Sequence, residues 1–118
     1  LVLVTNPLFP KYAITQRIGW AGLSVDDFDY VTSFEQNRYC KPQLKMYEEV
    51  LDHLDLKAED CMMVGNDVDE DMIAGQLGMA TYLVTEHMLN RGAGPIVVDQ
   101  QGDYDEFLRY VQTLTPIL

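Results

Sequence analysis

Short uncharged runs rich in β-branched and aromatic residues alternate with segments of helical apolar spacing along the whole chain, and this alternation narrows the available folds most. Residues 1–6 (LVLVTN) form a continuous apolar run with a polar end, the pattern of a strand covered on both faces in a parallel sheet. Pro7 and Pro10 stop it. Ala13, Ile14, Ile18 and Ala21 then recur at helical spacing up to Gly22, a suitable C-terminal cap. Residues 28–34 (FDYVTSF) read as a second strand, and Leu44, Tyr47, Val50, Leu51 and Leu54 mark one face of a second helix. Residues 61–65 (CMMVG) and 81–85 (TYLVT) predict two more strands, separated by a short helix over 70–77 that Gly78 ends. A last short strand is expected at 96–98. A closing helix is expected to begin at the Asp103/Glu106 capping pair and to bury Phe107, Leu108, Val111 and Leu114. Strands alternating with helices predict a single doubly wound α/β domain over residues 1–118, with a mostly parallel sheet and ligands bound beyond the carboxyl ends of its strands.

Composition excludes several classes of partner. At 118 residues, with 47% hydrophobic and 23% charged residues, the chain suits one ordinary globular domain. Its longest uncharged stretches, such as 1–10 and 61–65, fall well short of the roughly 20 apolar residues of a membrane span, so no membrane partner is expected. LVLVTN lacks a basic lead and a small-residue cleavage site. It therefore reads as a buried strand rather than a signal peptide. A chain that starts inside a strand pattern without Met leads us to expect a preceding segment. The formal charge of -11 and pI near 4.3 would repel a phosphate backbone, and no basic stripe offsets them, so nucleic acid is excluded as a partner. Cys40 and Cys61 lack CxxC spacing, which points to a reducing, cytoplasmic setting.

Polar residues cluster where the strands end. In chain order these are Thr5-Asn6, Lys41-Pro42 and the run Gly65-Asn66-Asp67-Val68-Asp69-Glu70-Asp71. Taken singly, each has an ordinary structural explanation: a strand exit, a loop lysine, a helix start enriched in carboxylates. Together, a hydroxyl, an ammonium and paired carboxylates at one sheet edge are what phosphoryl transfer needs. The hydroxyl and nearby N–H groups can hold phosphate oxygens, the lysine can offset charge, and the carboxylates can hold Mg²⁺. His53 and His87 lack ligand spacing for zinc, and Gly92-Ala93-Gly94 lacks a Walker lysine and reads as a plain turn.

VLVTN, KPQLKMYEEVL and VGNDVDEDMIAGQLGMATYLV, in that order, resemble the second, third and fourth motifs of the haloacid dehalogenase-like (HAD) superfamily. The resemblance implies a three-layer Rossmann-like core. In it Thr5 and Asn6 would bind the phosphoryl group, Lys41 would stabilise nucleophile and phosphate, and Asp67 and Asp71 would serve Mg²⁺. Asn66 intervenes between Gly65 and the acids, which leaves open which aspartate is the direct ligand; Asp67 ranks first. The family's DxDx[TV] nucleophile motif precedes its threonine motif. No match precedes Thr5 here, and Asp26-Asp27-Phe28-Asp29 reads as a polar loop. The resemblance thus implies a core lacking its central nucleophile strand and any N-terminal cap, completed by an N-terminal segment or a second copy. The implied function is part of a Mg²⁺-dependent phosphohydrolase for a small phosphorylated metabolite, acting through an aspartyl-phosphate, with this chain inactive alone. The alternatives are a non-catalytic HAD-fold binding or regulatory domain, a phosphomutase, or a dehalogenase. The Asp67/Asp71 pair disfavours the metal-free dehalogenase. A receiver domain is disfavoured by motif order, since Thr5 and Lys41 precede the acids.

Overall fold

The computed structural model describes residues 1–92 and 94–116, so Ala93 of the predicted turn lies outside the described residues. The chain forms two compact units, Leu1–Leu56 and Lys57–Leu118. Every pairing between described strands is parallel, as the alternating pattern predicts.

In the first unit, β1 (Val2–Leu3) pairs with β2 (Tyr30–Val31) in the register Val2 to Tyr30 and Leu3 to Val31. Between them runs α1 (Lys11–Trp20), which buries Ile14 and Ile18 and leaves Ala21 exposed. Pro10 provides no side-chain cap for α1. The carboxylate of Glu35, from the loop after β2, accepts the Lys11 N–H instead (2.9 and 3.1 Å) and so sets a negative charge at the helix's positive end. The helix closes as expected at Gly22, with φ +79°, where the Leu23 N–H reaches the Ile18 carbonyl (3.1 Å).

The second helix of this unit, α2 (Leu44–Leu54), follows the predicted apolar face closely. Met46 and Tyr47 are almost wholly inaccessible, and Val50 and Leu51 are buried beside them. Buried Asn37 joins the surrounding segments: its Oδ1 accepts the Ser33 N–H (2.9 Å), while its Nδ2 donates to the Tyr30 hydroxyl (2.9 Å) and to Glu49 Oε1 (3.2 Å). A side chain that bonds β2, its exit loop and α2 fixes the path of the chain toward Lys41.

In the second unit, β3 (Met62–Gly65), β4 (Ala80–Val84) and β5 (Gln100–Gly102) form one parallel sheet in that order. The helix predicted over 70–77 is a 3-10 helix, Met72–Leu77, ended at Gly78 with φ +98°. The last strand lies at Gln100–Gly102 rather than at 96–98, despite the β-branched residues Ile96, Val97 and Val98. A reciprocal clamp accounts for the shift. Asp99 Oδ2 accepts the Thr81 N–H (2.8 Å) and hydroxyl (3.2 Å), and Thr81 Oγ1 accepts the Asp99 N–H (3.0 Å), which sets the register just ahead of Gln100. Tertiary hydrogen bonding here overrides strand propensity.

The closing helix, α3 (Tyr104–Thr113), starts in the predicted capping box, Asp103 and Glu106 each accepting the other's backbone N–H at 2.8 Å. Its packing departs from the expected stripe. The Phe107 and Tyr110 rings pack on Tyr82 of β4 at 4.9 and 5.1 Å, whereas Leu108, Val111 and Leu114 remain exposed. Aromatic contact with the central strand sets the rotation of the helix. Leu83→Ala, at a wholly buried position of β4, is therefore expected to lower the unfolding free energy by about 2–5 kcal/mol in urea denaturation. Leu108→Ala should change it by no more than about 0.5 kcal/mol; equal losses for the two would contradict this packing.

Candidate functional site

Thr5 and Asn6 leave β1 where ladder pairing ends, and side chains take over the backbone bonding. Fully buried Thr32, at the exit of β2, accepts the Thr5 N–H through Oγ1 (2.7 Å) and donates to the Thr5 carbonyl (2.7 Å). The two threonine hydroxyl oxygens lie 3.3 Å apart. Asn6 Oδ1 accepts the N–H of Lys41 at 2.7 Å, across 35 residues of sequence. The first unit thus brings together Thr5, Asn6 and Lys41. The Lys41–Pro42 peptide bond is cis, and Gln43 leads into α2.

Asp67 and Asp71 lie in the second unit, in the turn that follows β3. Both are buried. Asp67 Oδ1 accepts the N–H groups of Asp69 (3.0 Å) and Glu70 (2.9 Å), folding the chain back on itself, and Asp71 Oδ2 accepts the Asp67 N–H (3.1 Å). Gly65 makes this turn sterically feasible: a Cβ there would overlap Oδ2, Cγ and Cβ of Asp71. Asn66 secures the neighbouring segment. Its Nδ2 donates to the His87 carbonyl (2.8 Å), its own carbonyl accepts the Leu89 N–H (2.8 Å), and Leu89 in turn accepts the Val68 N–H (2.9 Å), giving a parallel bridge between Asp67 and Leu89.

Arg91, two residues beyond that bridge, donates from Nη1 to Asp67 Oδ2 at 2.7 Å. In the sequence, Arg91 stands just ahead of the Gly92-Ala93-Gly94 turn and carries no motif. The available signal was its position past the exit of β4, the kind of place where the other candidates were sought. Burial is the largest single influence on the Asp67 carboxyl and raises its pKa. The N–H of Glu70, the Arg91 guanidinium and the N–H of Asp69 together outweigh burial and hold the carboxyl below the ordinary aspartate range. The same pairing raises the Arg91 guanidinium above its usual value.

No group of three or more His, Cys, Asp or Glu side chains among the described residues is arranged to hold a metal. Mg²⁺, however, is commonly held by one or two carboxylates, with water and substrate oxygens supplying the rest. The hard oxygen donors of Asp67 and Asp71 fit that mode, and Arg91 is the side chain seated on Asp67 Oδ2.

The depressed Asp67 pKa has a definite pH consequence. A carboxyl whose folded pKa lies below its unfolded value contributes stability above the unfolded value, and that stability is lost as pH falls through the folded one. In metal-free buffer the stability difference between the wild-type chain and Asp67→Asn should be constant above about pH 5 and shrink below about pH 4. Urea titrations across that range check this, and a difference independent of pH would contradict it. Gly65→Ala should displace the Asp71 carboxylate and lower the melting temperature by several degrees, corresponding to about 1–3 kcal/mol.

Residues 1–78 match the family model of haloacid dehalogenase-like hydrolases. A glyceraldehyde 3-phosphate phosphatase of Methanothermobacter thermautotrophicus is 30% identical over 90 residues, covering 69% of this chain and 40% of that protein. Among solved structures, a HAD phosphatase from Thermococcus onnurineus aligns with a TM-score of 0.67 at 24% identity, over 88% of this chain and 46% of its own. A predicted phosphoglycolate phosphatase from Haemophilus somnus 129PT aligns with a TM-score of 0.70 at 20% identity, over 95% of this chain and 49% of its own. These two likenesses show a shared Rossmann-like α/β fold. The chain spans about two fifths to one half of these relatives. With the family model covering well over half of its length, this chain belongs to the haloacid dehalogenase-like hydrolase family.

Proposed function

We propose that residues 1–118 are part of the core domain of a Mg²⁺-dependent phosphohydrolase, acting on a small phosphorylated metabolite through an aspartyl-phosphate intermediate. The observation that carries this reading is the 2.7 Å bond from the Lys41 N–H to Asn6 Oδ1, which ties a lysine to a threonine-bearing strand exit. A relative whose name specifies a small phosphate ester supports the substrate class. No DxDx[TV] match stands ahead of Thr5 in these residues, and in this reading the aspartate nucleophile lies outside residues 1–118, with a second copy able to complete the sheet but not to supply that nucleophile. In this reading Cys40 and Cys61, both free, suit a reducing, cytoplasmic setting. Among the described residues no helix is long and apolar enough to cross a membrane.

In this reading the negative charge of the transferring phosphoryl group is spread over its equatorial oxygens, and catalysis consists mainly of holding and neutralising it. The Thr5 hydroxyl donates to one such oxygen. The Lys41 ammonium offsets the repulsion between the attacking carboxylate and the phosphoryl group, and Asn6 holds the Lys41 backbone in place. Asp67 and Asp71 are the residues that would hold Mg²⁺, which when bound supplies Lewis-acid neutralisation of phosphoryl charge.

The Arg91–Asp67 pair is the observation on the side of a second reading, a non-catalytic HAD-fold domain whose acidic residue is neutralised internally. Kinetics separate the two. In the complete protein with p-nitrophenyl phosphate and Mg²⁺, Lys41→Ala and Asp67→Ala are each expected to lower kcat/KM by about a hundredfold or more. Asn6→Ala, which removes the bond to the Lys41 N–H, should cost about tenfold. The 118-residue chain alone should show no turnover. Unchanged rates in both Lys41→Ala and Asp67→Ala would remove the phosphohydrolase assignment.

A further inference from the structure

The two oxygens of Asp67 are held in different ways. Oδ1 is fixed by two backbone N–H groups of its own turn. Oδ2 is held by a side chain, the Arg91 guanidinium, which is 57% exposed, whereas the Asp67 side chain is only 6% exposed. The backbone leading to Arg91 is anchored independently, through Leu89 to Asn66 and Val68 and through the His87 carbonyl to Asn66 Nδ2. The guanidinium can therefore swing into solvent while the turn and the Asp67–Leu89 bridge stay in place. The backbone N–H of Arg91 donates to Asp69 Oδ2 (3.3 Å), so an acidic neighbour remains beside Arg91 after release.

A buried carboxylate without a counter-charge is strongly destabilising. A guanidinium 2.7 Å from Asp67 Oδ2 offsets that oxygen's charge and repels a divalent ion approaching it. We infer that Arg91 is a built-in substitute cation: it neutralises Asp67 when no metal is bound, and a divalent cation must displace it to bind. The inference rests on Asp67 being a cation-binding carboxylate, as proposed above. It goes further by assigning Arg91 the control of metal affinity. The ion binds only the fraction of molecules in which Arg91 has left, so its apparent affinity is weakened by that fraction. The acidic turn would thereby stay folded at low Mg²⁺, and occupancy would depend on Mg²⁺ concentration over a range set by one exposed ion pair.

The test is isothermal titration calorimetry of Mg²⁺ into the complete chain, wild type against Arg91→Met and Arg91→Lys, with thermal melts of each in EDTA and in saturating Mg²⁺. Arg91→Met keeps the bulk of the side chain and deletes its charge. It should bind Mg²⁺ about fivefold more tightly than wild type, the effect expected of one solvent-reachable ion pair. It should also melt at a lower temperature in EDTA, and saturating Mg²⁺ should close that gap. Arg91→Lys should fall between the two and guards against a general folding defect. If wild type binds Mg²⁺ and a folded Arg91→Met binds no more tightly, the competition is refuted while the cation reading of Asp67 stands. If neither wild type nor Arg91→Met binds Mg²⁺ at millimolar concentration, and Asp67→Asn changes nothing, the cation reading falls and the inference with it.

Discussion

A parallel strand that runs out of partners leaves backbone N–H and C=O groups that must be bonded some other way, and side chains answer that need at each candidate position. Thr32 takes over both backbone groups of Thr5, Asn6 takes the N–H of Lys41, Asp67 takes two N–H groups of its own turn, and Asp71 takes the N–H of Asp67. The residues that could hold phosphate or metal are thus either the groups that finish the strands or the groups those finishers hold. Side chains so placed start from fixed positions, because moving them would leave backbone groups unbonded.

Charge is the second constraint. The chain carries a formal charge of -11, and four acids fall within residues 67–71. Burial alone would push the Asp67 carboxyl toward its neutral form. Backbone N–H groups and Arg91 reverse that, leaving a buried anion. The two contributions differ in kind: the backbone donors are permanent parts of the fold, while the guanidinium belongs to an exposed side chain.

Local periodicity made much of the architecture legible. The apolar stripe of α2 and the caps at Gly22, Gly78 and Asp103 stand where sequence spacing puts them, because each depends on residues a few positions apart. Errors came where a distant partner decided the outcome. Strand propensity at Ile96, Val97 and Val98 yielded to the Thr81–Asp99 clamp, and the apolar stripe of α3 yielded to ring contacts with Tyr82. Glu35 capping α1 and Asn37 joining β2 to α2 were equally invisible, since neither lies within a turn of all the groups it serves.

The sequence by itself determined the α/β class, the parallel pairing and the positions at which chemistry-bearing residues leave the strands, because alternation and spacing are local properties of the chain. The ordered motifs also pointed to the family. Tertiary structure decided which backbone groups those residues hold, the register of β5, and the pairing of Asp67 with Arg91 across 24 residues. The physical reason is the same in each instance. Hydrogen bonds and ion pairs between distant residues are set by where the folded backbone places them, and no local pattern in the sequence encodes that distance.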